Sequence, residues 1–190
     1  MKTPSKKPSN PNFSSGPTRK PEGWSISKLN LKFLGRYHRS IDVREHIEKI
    51  ILKIKKTLKI PANYKLFFLP GSSTGAMTSI INSILGEKKI TSIVYDYWGL
   101  LWYQELKKLK FKVSCKKDLS GKLPFLGDIP INSDVLFVWN ATSNGMSISN
   151  INFLPKNHKG LIVCDLTSAV FVCNLPWRQL DISVFSLQKA

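Results

Sequence analysis

Two residues near the end of the chain, Asp165 and Lys189, are of types that could carry covalent chemistry. Asp165 directly follows the short apolar run 161–164, and Lys189 follows a second, half-alternating run, 181–186. Runs this short, β-branched and bounded by polar residues predict buried strands of an α/β sheet. Ligands in such sheets bind beyond the carboxyl ends of strands, so we expect both side chains at the same edge. An acid and a lysine placed in this way suggest a pyridoxal phosphate (PLP) site.

The same two residues also have ordinary structural explanations. An aspartate after a strand is often a helix cap or a turn former, and a lysine near a chain end is usually a solvated charge. In the PLP interpretation, Lys189 would hold the cofactor covalently and Asp165 would keep the pyridine nitrogen protonated. From these two residues alone, both interpretations stay open.

A further stretch could bind a phosphate group. The run 64–69 predicts a strand, residues 71–75 read GSSTG, and the apolar spacing after them predicts a helix. Backbone N–H groups and the dipole at a helix N-terminus, together with the hydroxyls of the loop, form a physical phosphate cradle. The loop lacks the lysine of a P-loop and the GxGxxG spacing of a dinucleotide site. The alternative is a plain Ser/Thr helix cap.

Other candidate residues also lie next to predicted elements. Trp98 follows the strand predicted over 90–96, where an aromatic ring could stack on a flat ligand or belong to the core. The strand predicted over 134–139 ends in the polar run 140–145. The basic cluster 35–40 precedes a predicted helix and could bind an anion or be a solvated loop. Strands that alternate with helices in this way predict an α/β fold with a mostly parallel sheet.

Composition and charge exclude several other classes of protein. The chain has 190 residues, of which 42% are hydrophobic, and its net charge is +17, from 29 Lys+Arg and 12 Asp+Glu. The lysines are spread along amphipathic helices such as the one predicted over 41–59, which favours solvated helix faces over a nucleic-acid site. No apolar run approaches the ~18 residues of a membrane span, and the basic N-terminus lacks the apolar core of a secretory signal. Three cysteines without a CxxC pair predict free thiols in a reducing compartment, the cytoplasm.

Taken together, these stretches resemble the phosphoserine aminotransferases, class V aminotransferases of PLP fold type I. The motifs that carry the resemblance follow one another in order and approximate spacing: NPNFSSGP at 10–17, YHR at 37–39, GSSTGA at 71–76, YW at 97–98, TSNG at 142–145, CDLTSA at 164–169 and SLQK at 186–189. The last motif departs from a branch of the family that has Trp where this chain has Leu187. Ser73 and Thr74 stand where some relatives have a Gly-Arg pair.

The resemblance implies a homodimer that binds PLP, and it implies a role for each matching residue. Lys189 would form the covalent link to the cofactor and then move a proton during transamination. Asp165 would pair with the pyridine nitrogen, and Trp98 would stack on the ring. Ser73 and Thr74 would hold the cofactor phosphate through their hydroxyls.

The remaining implied roles concern the cofactor oxygen and the substrate. Thr142 would donate a hydrogen bond toward the phenolic oxygen of the cofactor, and Gln188 would lie beside it. His38 and Arg39 would bind the phosphate or carboxylate of the substrate across the homodimer interface. The implied reaction converts O-phospho-L-serine and 2-oxoglutarate into 3-phosphooxypyruvate and L-glutamate, a step of serine biosynthesis with a related transamination in pyridoxine biosynthesis.

The sequence also predicts how the chain is organised. We expect an N-terminal arm over 1–23, rich in Pro, Ser and Lys, and the N-terminal part of a PLP-binding large domain over 24–190. Because family members are about twice as long, the resemblance implies a fragment without the small C-terminal domain, inactive alone.

Two alternatives to this function stay open. One is another class V enzyme, an alanine–glyoxylate aminotransferase or a cysteine desulfurase, although desulfurases resemble one another in having His at the places of Trp98 and Gln188. The other is a non-enzymatic basic protein that binds nucleic acid, which rests on the charge alone.

Overall fold

Five parallel strands form the centre of the computed structural model, which describes residues 5, 6, 9 and 20–189. The strands are β1 (Ile90–Val94), β2 (Val113–Lys117), β3 (Asp134–Val138), β4 (Ile162–Asp165) and β5 (Ile182–Val184). Their order across the sheet is β2-β1-β3-β4-β5, and every neighbouring pair is parallel. The predicted α/β fold with a mostly parallel sheet is therefore confirmed.

The helices follow the apolar periodicity of the sequence. They are α1 (Ile41–Leu58), α2 (Ser72–Ser83) and α3 (Tyr97–Lys108), with short 3-10 turns at Ile26–Lys28, Trp177–Gln179 and Leu187–Lys189. The end of α1 is set by Lys59, which takes the left-handed conformation at φ 55°, shortly before Pro61. Among the described residues, no helix is long and apolar enough to cross a membrane.

The core lies between the sheet and the apolar faces of α2 and α3. Every residue of β1 and β3 is buried, as expected for central strands covered on both faces. Met77 and Ile81 of α2 and Trp102 and Leu106 of α3 are at most 1% exposed. Full burial of an apolar side chain of this size contributes about 1.5–3 kcal/mol, so these two helices are held firmly against the strands that carry the site.

The prediction of a strand over 64–69 is wrong, because residues 65–69 have no strand structure. Phe67 is 74% exposed and Phe68 56% exposed. A strand requires a neighbour to pair with, and β5, which has only β4 as a partner among the described strands, does not hydrogen-bond to this stretch. Instead, the stretch, β5 and α2 line an apolar groove of about 920 Å³.

Two turns with left-handed backbone angles set element boundaries. Strand β2 begins at Val113, because Lys110 has φ 59° and closes the turn after α3 through a hydrogen bond from its N–H to the carbonyl oxygen of Lys107. Helix α2 ends at Ser83, and Gly86 lies in the following turn at φ 114°. The NPNFSSGP motif at 10–17 and most of the predicted arm lie outside the described residues.

Candidate functional site

A cavity of about 280 Å³ opens beyond the carboxyl ends of the strands. Its walls come from the start of α2, from the last residues of β3 and β4, and from the segments that follow β1, β3, β4 and β5. The lining residues are Ser72, Ser73, Thr74, Trp98, Val138, Asn140, Thr142, Asp165, Thr167, Ser168 and Gln188. In the strand order β2-β1-β3-β4-β5, the connection after β1 runs to β2 on one side and the connection after β3 runs to β4 on the other, which opens a crevice between β1 and β3. The cavity thus lies where α/β sheets of this order bind ligands.

The GSSTG loop enters the cavity through an unusual backbone turn. Gly71 and Ser72 both have left-handed backbone angles, at φ 81° and 62°, and α2 begins at Ser72. A Cβ atom on Gly75 would lie 2.2 Å from the carbonyl oxygen of Pro70, so this close approach requires glycine. The turn brings the first residues of α2, including Ser73 and Thr74, to the cavity wall. With no acidic residue in its first turn, the helix start is suited to an anion.

Asp165, the last residue of β4, is held by two hydrogen-bond donors. It is 7% exposed. The indole Nε1 of Trp102 donates to Oδ2 at 3.2 Å, and the backbone N–H of Thr167 donates to Oδ1 at 2.9 Å. Each carboxylate oxygen therefore accepts one N–H, which fixes the orientation of the buried carboxylate.

Trp98 lies in the first turn of α3, one helical turn before Trp102. It is half-buried at the cavity wall, and its ring is 6.4 Å from that of Trp102, with 33° between the ring planes. The helix start is fixed by Asp96, whose Oδ1 accepts the N–H of Gly99 at 2.8 Å. The cap therefore determines where the Trp98 ring stands relative to the cavity.

Asp96 adds a second buried carboxyl group next to the site. Burial raises its pKa, and the negative charge of Asp165 raises it further, whereas the N–H of Gly99 opposes both effects. Its second oxygen, Oδ2, is buried and has no hydrogen-bond partner in the described part of the chain. The two carboxyl groups therefore interact unfavourably when both are charged.

The loop after β3 is tied to the neighbouring strand ends. The side-chain amide of Asn144 donates to the carbonyl oxygen of Tyr95 at 2.7 Å, and Gly145 takes a left-handed conformation at φ 76°. The hydroxyls of Thr142 and Ser168 share a hydrogen bond at the cavity wall. Thr142 is thereby held beside the segment that follows Asp165.

Gln188 closes the cavity from the end of β5. It lies at the cavity wall, in the 3-10 turn Leu187–Lys189. Lys189 is the last residue of this turn, so its backbone directly adjoins the cavity-lining Gln188. The sequence order Gln188-Lys189 therefore brings the predicted lysine to the carboxyl edge of the sheet, as expected for a residue that follows β5.

His38 and Arg39 are the predicted site residues that the structure does not bring to this cavity. Both are exposed and precede α1, and neither is among the residues that line the cavity. The ring of His38 contacts that of Tyr37 instead, at 5.2 Å between centroids. Their expected role across a dimer interface stays a prediction.

Several residues at the cavity were missed by the sequence analysis. Ser72, Asn140, Thr167 and Ser168 line it along with the predicted residues. All four lie inside or beside the sequence motifs described above, so their closeness to these motifs could have identified them as cavity residues. The contact of Trp102 with Asp165 was also missed, because helical periodicity predicts a buried Trp102 but gives no acceptor for its N–H.

The fold, with a cavity beyond the carboxyl ends of its parallel strands, is similar to that of solved PLP-dependent aminotransferases, which confirms the predicted fold class. The particular resemblance to phosphoserine aminotransferases is also confirmed. A curated phosphoserine aminotransferase of Methanosarcina mazei is 37% identical over 188 residues, which cover 98% of this chain and 51% of that protein. No protein-family profile matches the sequence.

Solved structures agree with the sequence relatives. The crystal structure of a phosphoserine aminotransferase from Cytophaga hutchinsonii superposes with a TM-score of 0.77 at 28% identity, covering 86% of this chain and 46% of that one. A PLP-bound phosphoserine aminotransferase from Trichomonas vaginalis gives 0.68 at 17% identity, covering 93% and 53%, and shows the shared fold. The chain spans about half the length of the curated relatives it matches.

Proposed function

We propose that this chain supplies the PLP-binding part of a phosphoserine aminotransferase. The reaction would convert O-phospho-L-serine and 2-oxoglutarate into 3-phosphooxypyruvate and L-glutamate. The observation that carries the proposal is the cavity, where a helix start, an aromatic ring and a paired carboxylate meet at the edge that also bears Lys189. The identity to the Methanosarcina mazei relative favours this reaction over those of other class V enzymes and over nucleic-acid binding.

The residues at the cavity fit the three chemical parts of PLP. The start of α2, with Ser73 and Thr74, presents N–H and hydroxyl donors suited to a phosphate. Trp98 offers an aromatic face suited to a flat ring. The hydroxyl oxygen of Thr167 is buried and lacks a partner among the described residues, as expected of a wall that faces a polar ligand.

Asp165 and Thr142 would orient the ring of the cofactor. The carboxylate of Asp165, already held by two N–H donors, would accept a hydrogen bond from the protonated pyridine nitrogen and so keep that nitrogen protonated. Thr142 would donate toward the phenolic oxygen, and Gln188 would lie beside the ring. When bound, PLP supplies an aldehyde that takes up amino groups and a ring that withdraws electrons.

Lys189 would be the catalytic amine. It would bind the cofactor aldehyde covalently and, once a substrate has replaced it there, accept the proton released from the substrate Cα. To attack an aldehyde it must be unprotonated, so the complete site must lower the pKa of this lysine by burial or by nearby positive charge.

Substrate binding and assembly are further parts of the proposal. His38 and Arg39 would bind the phosphate or carboxylate of the substrate from across a homodimer interface, which is supported by their exposure and by their position away from the cavity of their own chain. We place the reaction in serine biosynthesis, with a related step in pyridoxine biosynthesis, and in the cytoplasm, where free thiols such as those of Cys115, Cys164 and Cys173 are maintained.

The test joins this chain to the half of the Methanosarcina mazei relative that it does not cover. The fusion should bind PLP with the absorbance of a lysine-bound cofactor and form glutamate from 2-oxoglutarate when phosphoserine is supplied. Lys189→Ala should abolish the absorbance and the activity while leaving the circular dichroism unchanged. A folded fusion that binds no PLP would refute the proposed function.

A further inference from the structure

Trp102 connects two of the residues that the proposed function assigns to the cofactor. It lies on α3 four residues after Trp98, so the two side chains share one face of the helix. Its side chain is 1% exposed. It therefore lies behind the cavity wall, where it can support other residues but cannot itself bind a ligand in the cavity.

The contacts of Trp102 go to both neighbours. Its Nε1 donates to Oδ2 of Asp165 at 3.2 Å, and its ring packs against that of Trp98, with 6.4 Å between centroids. The other oxygen of Asp165 is held by the backbone N–H of Thr167. Trp102 is therefore the side chain, among those described, that both fixes the carboxylate and supports the aromatic ring.

We propose that Trp102 is a positioning residue that holds the Asp165 carboxylate and the Trp98 ring in the geometry that PLP requires. This inference rests on the proposed function, because it assumes that Asp165 and Trp98 contact the cofactor. It adds a residue that lies outside the sequence motifs on which the family resemblance depends.

The physical reason is the cost of a buried carboxylate that is free to rotate. Asp165 is buried close to Asp96, and the two negative charges repel each other, so the Asp165 carboxylate needs hydrogen-bond donors. An indole N–H is a donor only and is held rigidly by a large ring. It can therefore fix the position of Oδ2 while other lone pairs of the carboxylate stay available to accept a hydrogen bond from the pyridine nitrogen.

If Trp102 had only a structural role, its ring would be buried in the same way, but its N–H would contribute nothing to PLP binding. Trp177 provides the matched comparison, because it is also buried, at 8% exposure, and its Nε1 donates at 2.9 Å to the carbonyl oxygen of Leu58, which is neutral and away from the cavity.

The first measurement uses the 190-residue chain and the indole N–H signals in ¹H–¹⁵N spectra. A charged acceptor deshields the proton, so Asp165→Asn should move the Trp102 signal upfield and leave the Trp177 signal in place. This chemical-shift measurement leaves Trp102 unchanged, so it does not depend on whether a Trp102 variant folds. A Trp102 signal that does not respond to Asp165→Asn overturns the proposal.

The second measurement is a PLP titration of the fusion described above, followed by ³¹P NMR, which detects weak as well as tight binding. Trp102→Phe keeps an aromatic ring but removes the N–H, and should weaken PLP binding about tenfold or more, the effect expected for one charge-assisted hydrogen bond. Trp177→Phe should bind PLP as the wild type does. Equal losses in both variants would overturn the positioning role.

The outcomes separate this proposal from the proposed function. Absence of PLP binding by the wild-type fusion would refute the proposed function and, with it, the cofactor role of Trp102. An upfield shift of the Trp102 signal together with selective loss of PLP binding in Trp102→Phe supports both.

Discussion

Replacing Asp165 by Asn removes one charge at the end of β4 with almost no change in shape. In the wild type, Oδ1 accepts the N–H of Thr167 and Oδ2 accepts the indole N–H of Trp102. The amide of Asn has one oxygen and one NH₂ group. If its oxygen stays with Thr167, its NH₂ group faces the indole N–H at about the 3.2 Å that now separates donor and acceptor.

The expected loss of stability follows from this geometry. One buried donor loses its acceptor, which costs about 1–3 kcal/mol. Loss of the charge also relieves the repulsion of Asp96, which offsets part of that cost. We therefore expect the free energy of unfolding to fall by about 1–2 kcal/mol, within the range of an ordinary point mutation, so the fold should survive.

The expected loss of function is larger. A neutral amide does not favour the protonated pyridine nitrogen, so the ring withdraws electrons less effectively and transamination should fall severely. The charge-assisted bond to the nitrogen is itself worth about 1.5–3 kcal/mol, which corresponds to about 10- to 100-fold in PLP affinity. The assays are urea unfolding of the chain, and PLP binding and glutamate formation by the fusion.

Asp134→Asn is the matched control for this change. Asp134 is also buried, at 3% exposure, and its Oδ1 accepts the backbone N–H of Leu161 at 2.8 Å, but it lies at the amino end of β3, away from the cavity. It should lose stability without a selective loss of PLP binding. Near-wild-type turnover of Asp165→Asn would show that Asp165 is only a turn residue and would refute the reasoning.

Three further predictions concern the loop and the buried titratable groups. Gly75→Ala should lower the free energy of unfolding in urea and weaken PLP binding, because the Cβ of the new alanine would lie 2.2 Å from the carbonyl oxygen of Pro70. Unchanged PLP binding would show that this turn does not form the phosphate site. Burial in the fold raises the pKa of Asp96 above 3.8, so the protonated carboxyl contributes stability below that pH, and this contribution is lost as the pH rises through the folded-state pKa. When the free energy of unfolding is measured as the pH rises through this window, Asp96→Asn should lose less stability than the wild type. Parallel curves for the two proteins would contradict the prediction. Burial raises the pKa of the Cys164 thiol, so a thiol reagent should leave it unmodified in the native chain while modifying the partly exposed Cys173, and rapid labelling of Cys164 would contradict its burial.

The strand ends were the part of the site that the sequence could predict. Buried strands of four or five residues followed at once by polar residues have few alternatives, so Asp165, Trp98 and Thr142 could be assigned to one edge of a sheet. Parallel pairing then brings such residues together whatever the details of packing. The cavity contains all three.

The remaining features depend on contacts that local patterns do not encode. The run 64–69 has the composition of a strand, yet whether it becomes one depends on a partner strand, which the local pattern cannot supply. The acceptor of the Trp102 N–H lies 63 positions further along the chain. His38 and Arg39 belong to a motif whose position relative to the cavity depends on packing, which local spacing does not encode.

The most direct test of the central claim is to locate the lysine that reacts with PLP. The fusion is incubated with PLP, reduced with borohydride and digested, and the modified peptides are identified by mass spectrometry. With 29 Lys and Arg residues in the chain, surface lysines provide an internal measure of non-specific reaction. We predict that the modification is concentrated on Lys189 and is lost from that peptide when phosphoserine is added before reduction. Modification spread over the surface lysines, with Lys189 no more reactive than the others, would contradict the account.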